Sequence, residues 1–342
     1  MIFFIREKKN HFGGAENYLS RLIKYLKNNN YHVDLINSPF PSFLPSWLRV
    51  ILFNLYLYLI KKDKFFFSLE RIVCADVYRA GDGVHKVYLQ KIKKSKVNPL
   101  HLVYIFLEKK CFQNSKVIIA NSEMVKKQII ETYSIKAEKI HVVYNGIELP
   151  NPKKIRVKKE FLEKNCINTN KRIFLFVGNG FERKGLKSFI NIISNLNKEK
   201  VQAFVIGNDK NINIYKQISK SLGLESILFF MGERKDVNYF YSVADFVILP
   251  TKYDPFSNVI LEAMSFKNIV ITTTDNGAHE ILNRKWVMKS YNDYSIIELI
   301  NKTLNNEESI IKVKKENYQR AKQFSIEKNS METIKYLKRL NV

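Results

Sequence analysis

Cysteine is scarce in this chain: Cys74, Cys111 and Cys166 are odd in number and scattered, with no C-x-x-C spacing and no histidine cluster nearby. That pattern excludes a zinc finger or a disulfide framework and fits a reducing cytoplasm. Acidic residues are also few, 32 Asp and Glu against 57 Lys and Arg, so the surface attracts phosphates, nucleic acid or anionic lipid without choosing among them. Long hydrophobic runs are missing as well. The most apolar segment, PSWLRVILFNLYLYLIKK from Pro45 to Lys62, is interrupted by Arg49 and Asn54 and falls short of the ~20 residues a bilayer span needs. It reads as a buried or interfacial helix. The start, MIFFIREKKN, is too short an apolar run for a signal-peptide core and leads into charge instead of a cleavage site, so no export is signalled.

What is present describes a folded protein. The 342 residues suit two domains of roughly 100–200 residues, and two domains imply a cleft. Hydrophobic residues at 46% and charged residues at 26% are globular composition. In the first half, strands are expected at Ile2–Ile5, His32–Ile36, Phe65–Leu69, Lys116–Ala120 and Ile140–Tyr144, with helices following Gly14, over Pro45–Lys62 and over Glu123–Tyr133. Pro150, Pro152 and the basic run Lys153–Lys159 carry no apolar period and read as a linker. Beyond it the alternation restarts: strands at Ile173–Val177, Ala203–Ile206, Ile227–Met231, Phe246–Leu249 and Ile269–Thr273 take turns with helices at Leu186–Leu196, Ile212–Leu222, Val237–Ala244 and Asn258–Phe266. Such alternation means α/β architecture, two Rossmann-like parallel sheets with crossover helices, whose ligands gather outside the carboxyl ends of the strands.

The loops after those strands carry the chemistry. In VGNGFERKGLKSFI, from Val177, Gly178 and Gly180 permit close backbone approach and Arg183 and Lys184 supply two cations before a helix start, which outlines a diphosphate site. Read alone, it is equally a strand-to-helix turn with solvated basic residues, and it lacks the G-K-[ST] ending of a Walker loop. Gly13 and Gly14 of HFGGAENYL form either a helix-entry turn or a second approach to the same phosphates. In YDPFSNVILEAM, Pro255 disfavours helix at Asp254, Ser257 or Asn258 caps a helix, and Glu262 lies in its first turns. The N–H groups near Ser257, Asn258 and Val259 can take phosphate oxygens, and Glu262 can accept from two neighbouring hydroxyls. Asp254 and Glu262 are otherwise a loop Asp and a helix Glu facing solvent. In CADVYRAGDGVHKVYL, Asp76 precedes Arg79, Asp82 and His85, so titratable groups converge on one loop.

Taken together, GGAEN, VGNGFERKG, FMGERKDVNYFYSVADFVILPT, YDPFSNVILEAM and QFSIEKNSMETIKYL closely resemble the retaining glycosyltransferases of family 4, which have the two-domain GT-B fold with two Rossmann-like sheets facing a central cleft. The resemblance covers nearly the whole chain. It implies an acceptor-binding domain over 1–152, a nucleotide-sugar-binding domain over 153–315, and a carboxyl-terminal helix over 316–342 that packs back on the first. The family's Glu, seven residues, Glu signature reads here as Asp254 and Glu262, and aspartate shortens the first reach by one methylene. By resemblance, Glu262 binds the ribose, Arg234 and Val237 cradle the nucleobase, and Asp254, Pro255 and Phe256 hold the donor sugar. Gly13, Gly14, Gly178, Arg183, Lys184, Ser257, Asn258 and Val259 hold the diphosphate.

Within the family, the chain resembles the lipopolysaccharide core glucosyltransferase type, whose proposed catalytic aspartate would fall on Asp76, with Arg79 and His85 beside it; read alone, Asp76 is equally a structural Asp in a turn and His85 a surface or core histidine. The implied reaction moves a sugar, with retention, from a nucleotide-diphosphate donor such as a UDP-sugar to a lipopolysaccharide-core or other lipid-linked acceptor. No cofactor and no metal are implied, and the chain has no D-x-D motif. Lys86, Lys91, Lys93, Lys94, Lys96, Lys109 and Lys110 surround Val87, Tyr88, Leu89, Leu102, Tyr104, Ile105 and Phe106, a pattern that suits an anionic bilayer surface or is a solvated basic face. The expected place is the cytoplasm, peripheral on the inner face of the membrane. The rivals are a basic nucleic-acid-binding protein, for which no helix-turn-helix, zinc-finger or aromatic RNA-binding signature is visible, and a catalytically silent GT-B protein that binds membrane and partner.

Overall fold

A computed structural model describes residues 1–7, 14–92, 98–150, 157 and 159–340, with the backbone alone for 14–17. The chain forms two units, Met1–Gly146 together with Ile326–Val342, and Ile147–Ser325. The divisions expected at 152/153 and 315/316 thus lie at 146/147 and 325/326. Most of the linker expected from Pro150 to Lys159, and Gly13, lie outside the described residues.

The first unit is built on β1 (Ile2–Ile5), β2 (Val33–Ile36), β3 (Phe65–Ser68), β4 (Val77–Ala80), β5 (Val117–Ala120) and β6 (Ile140–Val142). They form a parallel six-stranded sheet in the order β2-β1-β3-β4-β5-β6. Its helices are α1 (Gly14–Asn28), α2 (Ser46–Ile60), α3 (His85–Lys91), α4 (Pro99–Asn114) and α5 (Glu123–Tyr133). Neighbouring strand residues point to opposite faces, so Phe66, Tyr78 and Ile118 pack in one core with Phe53 and Leu57 of α2, Phe112 of α4 and Ile129 of α5. Phe67, Val77 and Ile119 pack in the other with Leu19, Leu22 and Leu26 of α1. A sheet buried on both faces reads as apolar runs, which is why most strands were legible.

Local chemistry sets the helix ends. Asn98 caps α4 by accepting from the Leu100 N–H at 3.0 Å, with Pro99 in the first turn where its missing N–H costs nothing. Ser122 caps α5 through the Val125 N–H at 3.2 Å. In α2, the two polar interruptions have separate jobs. Asn54 is buried, donates to the carbonyls of Val50 and Arg71 at 3.1 and 3.3 Å, and accepts from the Val73 N–H at 3.0 Å, so it ties α2 to the 71–73 loop. Arg49 pairs with Glu7 at 2.5 Å.

The second unit comprises α6 (Lys159–Lys164), β7 (Arg172–Val177), α7 (Phe181–Lys184), α8 (Leu186–Ser194), β8 (Val201–Ile206), α9 (Ile212–Ser221), β9 (Leu228–Gly232), α10 (Val237–Val243), β10 (Phe246–Leu249), α11 (Asn258–Ser265), β11 (Ile269–Thr273), β12 (Val287–Met288), α12 (Ile296–Leu304) and α13 (Glu307–Ala321). Its sheet is also parallel and six-stranded, in the order β12-β11-β10-β7-β8-β9. Helix α14 (Ile326–Lys338) belongs to the first unit, where Ile334 and Leu337 join the α1 core and Tyr336 stacks on His141 at 4.2 Å. Two strands have no counterpart in the sequence reading: β12, only two residues long, and β4, in which Arg79 interrupts the apolar run.

Candidate functional site

The second sheet reverses its order of assembly between β7 and β10: β8 and β9 extend it on one side, β11 and β12 on the other. Loops leaving the carboxyl ends of two such neighbours diverge and leave room for a ligand. The loop after β7 contains Gly178 and runs into α7; the loop after β10 carries Asp254 to the start of α11. Gly178 adopts φ 147°, and a Cβ there would meet Lys184 Cε at 3.4 Å, so glycine lets the lysine lie across the loop. Gly185, at φ 79°, approaches the β10 loop so closely that a Cβ would stand 1.8 Å from the Pro250 carbonyl oxygen. The Lys252 N–H and Thr251 hydroxyl both donate to the Arg183 carbonyl at 2.8 Å, which fastens α7 to that loop.

Four groups expected from sequence to touch one ligand meet here. Lys184 Nζ lies 2.6 Å from Asp254 Oδ2 and 3.3 Å from Ser257 Oγ. Arg183 Nη1 donates to the same Asp254 oxygen at 3.1 Å and to the Tyr253 carbonyl at 3.0 Å. Burial pushes the Lys184 ammonium down and Arg183 adds to this, outweighing Asp254, so its pKa lies below the ordinary lysine value. Burial pushes Asp254 up, but the two cations outweigh it and hold the carboxyl below its ordinary value. Ser257 precedes α11, whose half-buried Asn258 and Val259 present the positive end of the helix. At the neighbouring start of α7, the Phe181 N–H donates to Asp209 Oδ2 at 2.8 Å.

Glu262 sits one turn into α11, half-buried, and accepts from the Tyr241 hydroxyl at 3.1 Å. Arg234 is held in a two-pronged pair with Asp236 at 2.7 and 2.8 Å, beside half-buried Val237 at the start of α10. Pro255 is half-buried and Phe256 is buried. Asn276 has no reading in the sequence although it holds this loop: fully buried, it accepts from the N–H groups of Ser257 and Ala278, each at 3.1 Å. The Asp254 backbone is pinned by Asp275 and Gly277 at 2.9 Å each. These partners lie far along the chain, so no local pattern announces them.

In the first unit, the structure separates the groups expected on one loop. Asp76 stands at the amino end of β4, remote from the ligand end, because β4 begins at the next residue. It is ion-paired with Lys61 and with Lys116 at 3.2 Å, and accepts from the Phe66 N–H at 2.8 Å. Arg79 is buried within β4, donates to Asn145 Oδ1 at 2.5 Å, and lays its guanidinium 3.6 Å from the centre of the Tyr18 ring. His85 opens α3, buried, with Nε2 3.1 Å from Nδ1 of His101. Burial first, then Arg71 and His101, push its pKa down to about 3, so the ring is neutral near pH 7. All three therefore read as parts of the scaffold.

The carboxylate at the ligand end of β4 is Asp82, 59% exposed, with Arg71 at 3.9 Å. Behind it Arg71 binds the fully buried Glu108 at 3.0 Å, and Glu108 also accepts from the His85 N–H at 2.7 Å and the Tyr133 hydroxyl at 2.7 Å. At this unit's own reversal point, between β1 and β3, Arg6 pairs with Glu70 at 2.8 Å. Gly14 begins α1. Among the described residues no three His, Cys, Asp or Glu gather as a metal site, and no helix is long and apolar enough to cross a membrane.

Residues 157–323 match the family of glycosyl transferases group 1, and residues 63–150 match Glycosyltransferase Family 4. The lipopolysaccharide glucosyltransferase WaaG of Escherichia coli is 26% identical over 224 residues, 60% of this chain and 58% of WaaG. The chain spans about half the length of the first curated relatives it matches. A crystal structure of WaaG aligns over 97% of this chain and 98% of its own at a TM-score of 0.81 and 19% identity. HepE of Anabaena in complex with UDP aligns over 99% of both chains at 0.76 and 17%. The two parallel six-stranded sheets have the GT-B fold of these structures. The chain thus carries a stretch similar to the glycosyl transferases group 1 over 157–323 and one similar to Glycosyltransferase Family 4 over 63–150.

Proposed function

We propose that the chain transfers a sugar, with retention at the anomeric carbon, from a UDP-sugar to a lipopolysaccharide-core or other lipid-linked glycan acceptor. The observation that carries this reading is the cluster at the reversal point of the second sheet, where Arg183 and Lys184 both donate to Asp254 and Lys184 also reaches Ser257, just before α11. Transfer breaks the bond from the sugar to the diphosphate and leaves negative charge on the departing phosphate. Arg183, Lys184 and the α11 amino end stabilise that charge where it develops, and no metal is required of them. Glu262 takes the ribose hydroxyls, Arg234 and Val237 face the base, and the Asp254 loop meets the sugar. UDP in the HepE complexes and the lipopolysaccharide role in the name WaaG support the donor and acceptor classes.

The acceptor belongs to the first unit, where Asp82 is the exposed carboxylate at the ligand end of β4. The outer faces of the packed helices α2 and α4 add a reason to expect a lipid-linked substrate. Leu55, Tyr58, Leu59, Leu102 and Phe106 are exposed there, with Lys109 and Lys110 alongside. Apolar and aromatic side chains flanked by lysines fit an anionic membrane surface on the cytoplasmic side. Lys93, Lys94 and Lys96 lie outside the described residues, and Leu89 is buried and faces inward.

A thermal-shift panel of UDP-, GDP- and ADP-sugars tests the donor reading. Ligand at 100 times its dissociation constant adds ~2.7 kcal/mol of stability. UDP-sugars should raise the melting point, and a panel without any shift rejects the assignment.

A further inference from the structure

Asp254 occupies the place a diphosphate needs. Its Oδ2 accepts from both Lys184 Nζ at 2.6 Å and Arg183 Nη1 at 3.1 Å. The carboxylate and the lysine are nearly buried, with side chains 10% exposed. Two cations so close together are held by an anion in either state of the protein: the internal carboxylate without ligand, the phosphates with it. A diphosphate that draws on both cations competes with the Asp254 carboxylate for their charge. A carboxylate displaced in that competition loses charge-assisted hydrogen bonds inside the protein and needs new donors.

We propose that Asp254 is an internal competitor for the diphosphate site that makes the protein prefer a sugar nucleotide to the free nucleotide. The inference rests on the donor-site reading above. A free nucleoside diphosphate displaces the carboxylate and offers it nothing. A sugar nucleotide brings hydroxyl donors on its sugar, which replace the lost bonds. The same carboxylate that reads the sugar thus weakens retention of the nucleoside diphosphate product once the sugar has gone. Asp254 selects between substrate and product through one displacement.

Calorimetric titration of the full chain with inorganic pyrophosphate, UDP and a UDP-sugar separates this from a carboxylate that only touches the sugar. Asp254→Asn keeps the size and removes the competing charge. Pyrophosphate and UDP should then bind roughly tenfold or more tightly, since an ionised partner bonds about twice as strongly as a neutral one. The preference for UDP-sugar over UDP should collapse, and inhibition by UDP should deepen. Unchanged or weaker UDP and pyrophosphate affinity in Asp254→Asn overturns the proposal. A second measurement avoids any dependence on the variant's folding: in a structure of the wild-type chain with UDP, the carboxylate should have left Lys184. An Asp254–Lys184 pair still intact beside bound UDP overturns the proposal as well. A wild-type chain that binds neither pyrophosphate nor any nucleotide rejects the donor site itself, and this inference with it.

Discussion

The Tyr241 hydroxyl reaches Glu262 across 21 residues of sequence, and its ring is buried. Tyr241→Phe keeps the ring and deletes one hydrogen bond to the acceptor proposed above for the ribose. Hydrogen bonds to charged groups contribute about 1.5–3 kcal/mol, so a loss near the low end weakens UDP roughly tenfold. The measurement is UDP against 2′-deoxy-UDP: the wild type should discriminate, and Tyr241→Phe should do so less. Equal discrimination by both removes Tyr241 from the ribose site.

Asp76 makes a different prediction, because its partners are structural. Burial raises its pKa, but Lys61, the Phe66 N–H and Lys116 outweigh burial and hold it below 3.8. A folded-state pKa below the unfolded one contributes stability at pH above about 4 that fades as pH falls through the folded value. Asp76→Asn should therefore cost about 1–3 kcal/mol at pH 7 and flatten the acid loss of stability. Turnover per folded molecule should hold. Urea unfolding between pH 7 and pH 3 checks it, and parallel curves for the two proteins would falsify the assignment. The Asp76, Arg79, Asp82 and His85 cluster was legible as a list of titratable groups. It was not legible as a geometry, because β4 puts Asp76 and Asp82 at opposite ends of one strand.

At the scale of elements, period and composition revealed most of the fold. Phe246–Leu249 and Ile269–Thr273 are strands at the bounds expected, and Glu123–Tyr133 is the helix expected. β4 was hidden because Arg79 sits in its apolar run, and its burial depends on Tyr18 and Asn145, which lie far away in sequence. Helix α2 was legible as apolar, but only packing reveals which side is covered. Phe53 and Leu57 are buried, while Tyr58 is 67% and Leu59 75% exposed. If that outer face docks on lipid, Leu55→Glu with Leu59→Glu should cut binding to anionic vesicles more than tenfold, since full burial of each leucine contributes about 1.5–3 kcal/mol. Surface changes of this kind move stability by about 0.5 kcal/mol or less each, so the melting temperature should stay nearly constant. Vesicle co-sedimentation at fixed salt reads the outcome. Full retention by the double variant assigns the membrane contact to another surface.

At the scale of the whole molecule, the chain crosses from its first unit to its second and back, so the first unit is completed by residues that follow the second. Helix α14 places Ile334 and Leu337 against Ile2, Phe4, Leu19, Leu22 and Leu26, and Asn329 donates to the Tyr144 carbonyl at 2.6 Å. Burial of the two aliphatic side chains alone contributes about 3–6 kcal/mol, a large share of the about 5–15 kcal/mol that stabilises a typical domain. A chain ending at Ser325 keeps the whole second unit and uncovers one face of the first. Calorimetry should then show two transitions, an early one from the exposed first unit and a later one from the second. UDP should raise mainly the later transition, because the residues assigned to the nucleotide, Gly13 and Gly14 excepted, lie within 178–262. A truncated chain that melts once, at the temperature of the full chain, would mean that α14 contributes nothing to the first unit's core. A single transition at a much lower temperature would instead mean that the two units unfold together, and the stabilisation α14 supplies is then shared by the donor site.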